Sequence, residues 1–228
     1  MKKSIAILSV LATSAAFAAT TVESDNTFGF VPVEGKGLTC VAVPVKGYTT
    51  GTSIKIAEVL QVTDLAEGDK LYTMASGGAY NEYTLSSEGT WTPSKIVTVG
   101  GDGDFGAKDG TPATEAQIAP GGAFWLDTKA ATISLMGDAT EAASAATITT
   151  GWQLIGNPSI TADCKISDIG GTRTIGDVLQ TSSMAYRYVK IGDVTGWATG
   201  SGKSWTLAPD AVLKPGEGAM LYSQAAAN

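Results

Sequence analysis

The chain has 228 residues, with 15 Lys and Arg against 22 Asp and Glu, two cysteines and no histidine. A net charge of −7, spread thinly, argues against phosphate-backbone binding, which relies on clustered basic side chains. The missing histidine removes Ser-His-Asp and Cys-His catalysis and the commonest metal ligand.

The chain opens "MKKSIAILSVLATSAAFAAT". Lys2 and Lys3 precede an apolar stretch over residues 5–11, and Ala16-Phe17-Ala18 gives the small-x-small pattern of a signal-peptidase site. This predicts a signal peptide over 1–18, too short to span a membrane as a helix. The mature protein is therefore expected to be secreted, periplasmic or on the cell surface, with no membrane insertion after signal removal. Losing two lysines takes the net charge to about −9, which favours solubility and gives no reason to expect a nucleic-acid partner.

Two related β-rich units are predicted next, over 27–127 and 132–224. "GLTCVAVPV" from Gly37 and "GWQLIGNPS" from Gly151 read as strands ended by Pro. The following signs recur in order. "IAEVLQ" at 56–61 matches "IGDVLQ" at 175–180, "KLYTM" at 70–74 matches "AYRYV" at 185–189, and "TWT" at 90–92 matches "SWT" at 204–206. "IAPGGAFWL" at 118–126 then matches "LKPGEGAMLY" at 213–222. Gly37 to Trp91 and Gly151 to Trp205 both span 54 positions, so an internal duplication is expected, with Trp91 on Trp205, Ile56 on Ile175 and Val59 on Val178.

In both units the "I-x-x-V-L" segment places three apolar residues at helical spacing, with a purely β reading of the segment as the alternative. Thr174 and Asp177 stand at capping-box spacing before the second copy. The expected fold is mainly all-β: two tandem sandwich or barrel-like units, each with a short helical turn. Between Trp91 and Pro120 lie 29 positions, against 10 between Trp205 and Pro215, which reads as an insertion of about 19 residues in a loop of the first unit.

That insertion contains "GGDGDFGAKDG" at 100–110. Asp102, Asp104 and Asp109 supply oxygen ligands in a Gly-rich setting, so weak Ca²⁺ binding is one reading and a solvated turn the other. EF-hand spacing fails, because Ala107 stands at the invariant-Gly position and no Glu closes the loop. Of the five tryptophans, Trp91, Trp152 and Trp205 read as core, whereas Trp197 in "GDVTGWATGSG" reads as exposed and becomes the candidate ligand-binding aromatic. Cys40 and Cys164 have the arithmetic of one disulfide in an exported chain. Buried free thiols are the alternative.

"FGFVPV", "GW-x-LI-x-NP", "I-x-D-V-L", a Trp-containing strand and "PGEGAMLY" together resemble a family of exported bacterial β-rich proteins of unassigned function. The first unit departs from that pattern, with "VAVP" for "IGNP" and "PGGAFW" for "PGEG". The resemblance implies a β fold and supplies no catalytic residues. An exported, non-enzymatic structural or surface-interaction protein is expected, with other surface proteins or extracellular polysaccharide as partners. A carbohydrate-binding module using exposed aromatics and a secreted carboxylate-dependent hydrolase are the alternatives. Catalytic residues and a tightly bound cofactor are not expected.

Overall fold

The computed structural model describes residues 28–35, 37–45, 53–75, 78–99, 105–119, 121–138, 146–202 and 204–224. The fold is all-β, built on two open six-stranded antiparallel sheets, and neither closes into a barrel.

The first sheet contains β2 (Gly37–Ala42), β4 (Lys70–Met74), β5 (Tyr80–Leu85), β6 (Trp91–Val99), β7 (Phe105–Lys108) and β9 (Ala123–Thr128), in the order β2-β9-β4-β5-β6-β7. The second contains β11 (Gly151–Gly156), β13 (Val178–Gln180), β14 (Ala185–Ile191), β15 (Val194–Ser201), β16 (Ser204–Leu207) and β18 (Gly218–Ser223), in the order β11-β18-β13-β14-β15-β16. Counted along each half of the chain, the two orders are the same. Each half adds a two-stranded clip: β3 (Ile54–Lys55) with β8 (Gln117–Ile118), and β12 (Cys164–Lys165) with β17 (Val212–Leu213).

Strand alternation sorts the side chains into layers, because successive residues face opposite sides of a sheet. In β9, Phe124 and Leu126 face the first core, while Ala123 and Trp125 face the second sheet. In β11 and β18, Ile155, Ala219 and Leu221 face the second core, while Leu154 and Met220 face back. The two sheets thus stand back to back across a cluster that includes Cys40, Tyr72, Tyr80, Trp125 and Leu154.

That junction is reciprocal. The Ala42 amide donates to the Gly216 carbonyl at 2.9 Å, and the Gly156 amide donates to the Gly121 carbonyl at 2.8 Å. Ala42 and Gly156 end equivalent strands, and Gly121 and Gly216 occupy equivalent turns at φ of 71° and 76°, a left-handed conformation that favours glycine. Equivalent positions also meet each other. A Cβ on Gly156 would collide with the Ala42 methyl, and one on Gly218 would stand 2.6 Å from that of Ala123. Such self-matching is how surfaces meet across an approximate two-fold axis.

The first core is closed by a ribbon of β1 (Phe28–Glu34) and β10 (Thr132–Asp138) and by helix α1 (Ile56–Val59). The stretch from residue 132, which the sequence assigns to the second unit, therefore starts with a strand of the first unit's lid. Ile133 and Leu135 fill its core.

Several residue matches fail. Ile56 is buried, whereas Ile175 is 56 % exposed. The helical turn forms only in the first unit, because Gly176 sits at φ of 106°, outside helical space. The box-like contact survives in part: the Thr174 amide donates to Asp177 Oδ2 at 3.0 Å, but it closes a turn leading into β13. Trp91 and Trp205 are not mates, since they lie on β6 and β16, the fifth and sixth strands of their sheets. The extra residues between Trp91 and Pro120 consequently include β7, the counterpart of the strand that carries Trp205, and are not merely a loop insertion.

Candidate functional site

The residues singled out in the sequence do not converge. Asp102 and Asp104 lie outside the described residues, and Asp109 is exposed just beyond β7. Among the described residues no group of three or more His, Cys, Asp or Glu could hold a metal ion.

Trp197 is 4 % exposed and belongs to the second core, so it offers no ligand platform. Its β14 neighbour Tyr188 meets the indole edge-on at 5.4 Å, and the Arg173 guanidinium stands 5.9 Å from the ring centroid. The Gly-rich setting suggested exposure, but inward alternation on β15 and the covering Arg173 removed it. The accessible tryptophan is instead Trp152, 43 % exposed and tilted against Tyr222 at 4.9 Å. The alternation of Trp152 with Leu154 in "GWQLIG" was the available signal: both share one face, and only Leu154 is covered by the first sheet.

Cys40 and Cys164 are free thiols. Cys40 is fully buried between the sheets, whereas Cys164 lies on β12, paired with Leu213. In the two clips Cys164 holds the position equivalent to Ile54, not to Thr50 as the sequence match implies. A staple between the units is therefore not formed. Cys40 does share the inter-sheet cluster with Leu154, the residue it was aligned with.

The junction opens into two clefts. In each, the first strand of one unit passes the closing turn of the other. One cleft, about 480 Å³, takes Gln153 and Leu154 from β11 and Met74, Ile118 and Ala119 from the first unit. The other, about 550 Å³, takes Leu38, Thr39 and Cys40 from β2 and Ser182, Tyr186 and Glu217 from the second unit. Both fall within the roughly 300–1,000 Å³ range of ligand clefts.

Their chemistry differs. The Met74 cleft is neutral and largely apolar. The Leu38 cleft carries Glu34, Glu217 and Lys214. Burial, and then the Glu217 carboxylate, hold the Tyr186 phenol and the Cys40 thiol above their ordinary pKa values, as a negatively charged neighbour does. Glu217 is oriented by the Lys214 amide, which donates to Oε2 at 3.0 Å. The Glu217 carboxylate disfavours anions in this cleft, whose lining offers hydrogen-bonding groups.

Its floor is a strand edge, since β2 is an outer strand of its sheet. The Cys40 amide points away from β9 and donates to Ser182 Oγ at 2.7 Å, as the Ala42 amide does to Gly216. Alternation along the strand puts the Leu38 amide and carbonyl on the same outer edge. Leu38 is 37 % exposed. Trp152 holds the equivalent position on β11, where its indole stands over the Gly78 turn of the first unit.

Among the described residues no helix is long and apolar enough to cross a membrane. No family model matches the chain, and neither a curated protein nor a solved structure matches it.

Proposed function

We propose that this is an exported, non-enzymatic surface-interaction protein, formed by duplication of one β unit, which engages other surface proteins at the junction of its two halves. The carrying observation is the pair of equivalent edge positions, Leu38 and Trp152, both large, apolar and exposed beside the inter-unit junction. Exposed apolar groups rimmed by polar ones are where protein partners dock. The signal-peptide pattern of residues 1–18 supports the compartment, and the matching strand orders with reciprocal contacts support the duplication.

Binding of the purified protein to cell envelopes of the producing organism tests this reading. Protease treatment of the envelopes should abolish binding, and Trp152→Ala should weaken it at least about threefold, a loss near 0.6 kcal/mol. Binding that survives protease but is lost after polysaccharide digestion would replace it with the second reading, a sugar-binding module. The observation favouring that alternative is the Trp152–Tyr222 pair, which presents an aromatic face of the kind that stacks on sugar rings.

A further inference from the structure

We infer that the Leu38 cleft captures an extended, apolar-and-basic peptide segment of a partner protein by strand addition to the outer edge of β2. The inference rests on the surface-interaction reading above and names its mode and partner chemistry.

Three observations converge. First, the outer edge of β2 is capped only over its second half. Cys40 donates to Ser182 and Ala42 to Gly216, whereas the outward amide and carbonyl of Leu38 have no hydrogen-bond partner among the described residues. Ser182 Oγ occupies the place that an acceptor on a neighbouring strand would take, so the sheet already accepts a donor–acceptor partner there. Unpaired edge groups are the template on which a further strand forms, and main-chain hydrogen bonds of this kind carry affinity in β-augmentation while alternate side chains carry specificity.

Second, the edge borders a preformed cleft of about 550 Å³, room for a few extended residues at about 3.3 Å each. The Leu38 side chain, 37 % exposed, gives an incoming apolar residue a cross-strand neighbour.

Third, the charges select the partner. Among the described residues that line the cleft the charged ones are Glu34, Glu217 and Lys214, and Glu217 already opposes ionisation of Tyr186 and Cys40. A basic side chain is attracted there and an acidic one repelled. The same argument disfavours a second copy of this chain, whose net charge is −7.

The test uses the full chain and four probes: a short peptide of alternating Val and Lys, two versions of it N-methylated at every second residue, one in each phase, and a Val–Glu counterpart. The Val–Lys peptide should bind saturably, with slowed hydrogen exchange at the Leu38 amide. Methylation in the edge-facing phase should weaken binding about tenfold or more, the equivalent of about one lost hydrogen bond. The Val–Glu peptide should be about tenfold weaker, and Glu217→Gln should narrow that gap. Leu38→Pro, at a position whose N–H faces away from the sheet and is therefore open to proline, should remove binding with little change in melting temperature.

Equal binding of the methylated peptides, or no saturable binding of the Val–Lys peptide up to about 1 mM, would overturn strand addition. Self-association that Leu38→Pro abolishes would overturn it in favour of a second copy. Protease-sensitive envelope binding that persists in Leu38→Pro would also overturn it while leaving the surface-interaction reading standing. Peptide capture without envelope binding would support strand addition and defeat that reading alone.

Discussion

The two units share a strand order but not a way of closing their cores. The first folds its own ends back as the β1–β10 ribbon and adds α1 and the β3–β8 clip. Nineteen buried side chains form its cluster among the described residues, against eight in the second unit. Among the described residues the second unit has no equivalent of the ribbon or the helix. Ile148, Ile166 and Leu213 come from its lead-in, a turn and the β12–β17 clip, and Trp197 supplies the bulk. One sheet plan thus tolerates two lids, because a sheet face needs only to be covered and does not dictate by what. It also shifts the tryptophans. Trp91 on β6 and Trp197 on β15 sit on equivalent strands, both bury their indoles, and both keep an indole N–H without a partner among the described residues.

The largest test of that comparison is a pair of truncations. Trp197→Ala should cost about 3–5 kcal/mol, the range for emptying a large aromatic site in a core. Trp205→Ala should cost about 1 kcal/mol or less, because Trp205 lies half-buried on an edge strand and its Nε1 donates to the Gly202 carbonyl at 3.0 Å in an exposed setting. Chemical denaturation of both variants measures this. A larger loss at Trp205 would restore the register read from the sequence.

Next in size are the glycines where the units meet. Gly156→Ala brings a methyl onto Ala42, and Gly218→Ala brings one within 2.9 Å of Cys40 Sγ. Each should cost about 1–3 kcal/mol by overpacking. Pairing Gly156→Ala with Ala42→Gly should recover part of the loss, since it removes the methyl–methyl collision but leaves the Gly122 carbonyl oxygen 2.9 Å from the new methyl. Failure of that rescue in melting experiments would show that the halves do not meet reciprocally.

The smallest effect is a pH dependence to which the junction contributes. Burial holds the Tyr80 phenol at about 12 and the Cys40 thiol well above its ordinary value of 9.0, and Tyr72 is raised from 10.0 for the same first cause. A folded-state pKa above the unfolded one means stability is intact below the unfolded value and fades as pH rises through the folded value. Stability should therefore hold to about pH 9 and fall from there towards pH 12. The Tyr80 hydroxyl donates to Met220 Sδ at 3.0 Å, and Tyr80→Phe should flatten the upper part of the fall. Melting temperatures across this range decide the matter: an unchanged profile in Tyr80→Phe would remove the phenol from the account.

The sequence by itself determined the class and the strands and turns that meet at the junction. Alternating apolar residues in "GLTCVA", "GWQLIG" and "GAMLYS" are legible because strand periodicity is local, and the Pro-Gly turns are legible because left-handed backbone needs glycine. Those elements became β2, β11 and β18 and the reciprocal contacts between them. The middle of each unit was misread by one strand. The equal 54-residue spans hid a difference in composition, because "KLYTM" fills the slot that "VLQ" fills in the second half, with α1 ahead of it. Only the tertiary structure decided that slot, since Val59 and Leu60 pack under the ribbon strand β10 and Leu60 bridges to Leu135, whereas Gly176 turns its segment directly into a strand. The same holds for the candidate site. No motif marks Leu38 or Trp152, because an unpaired strand edge exists only once the neighbouring strands and the opposite unit have taken their places.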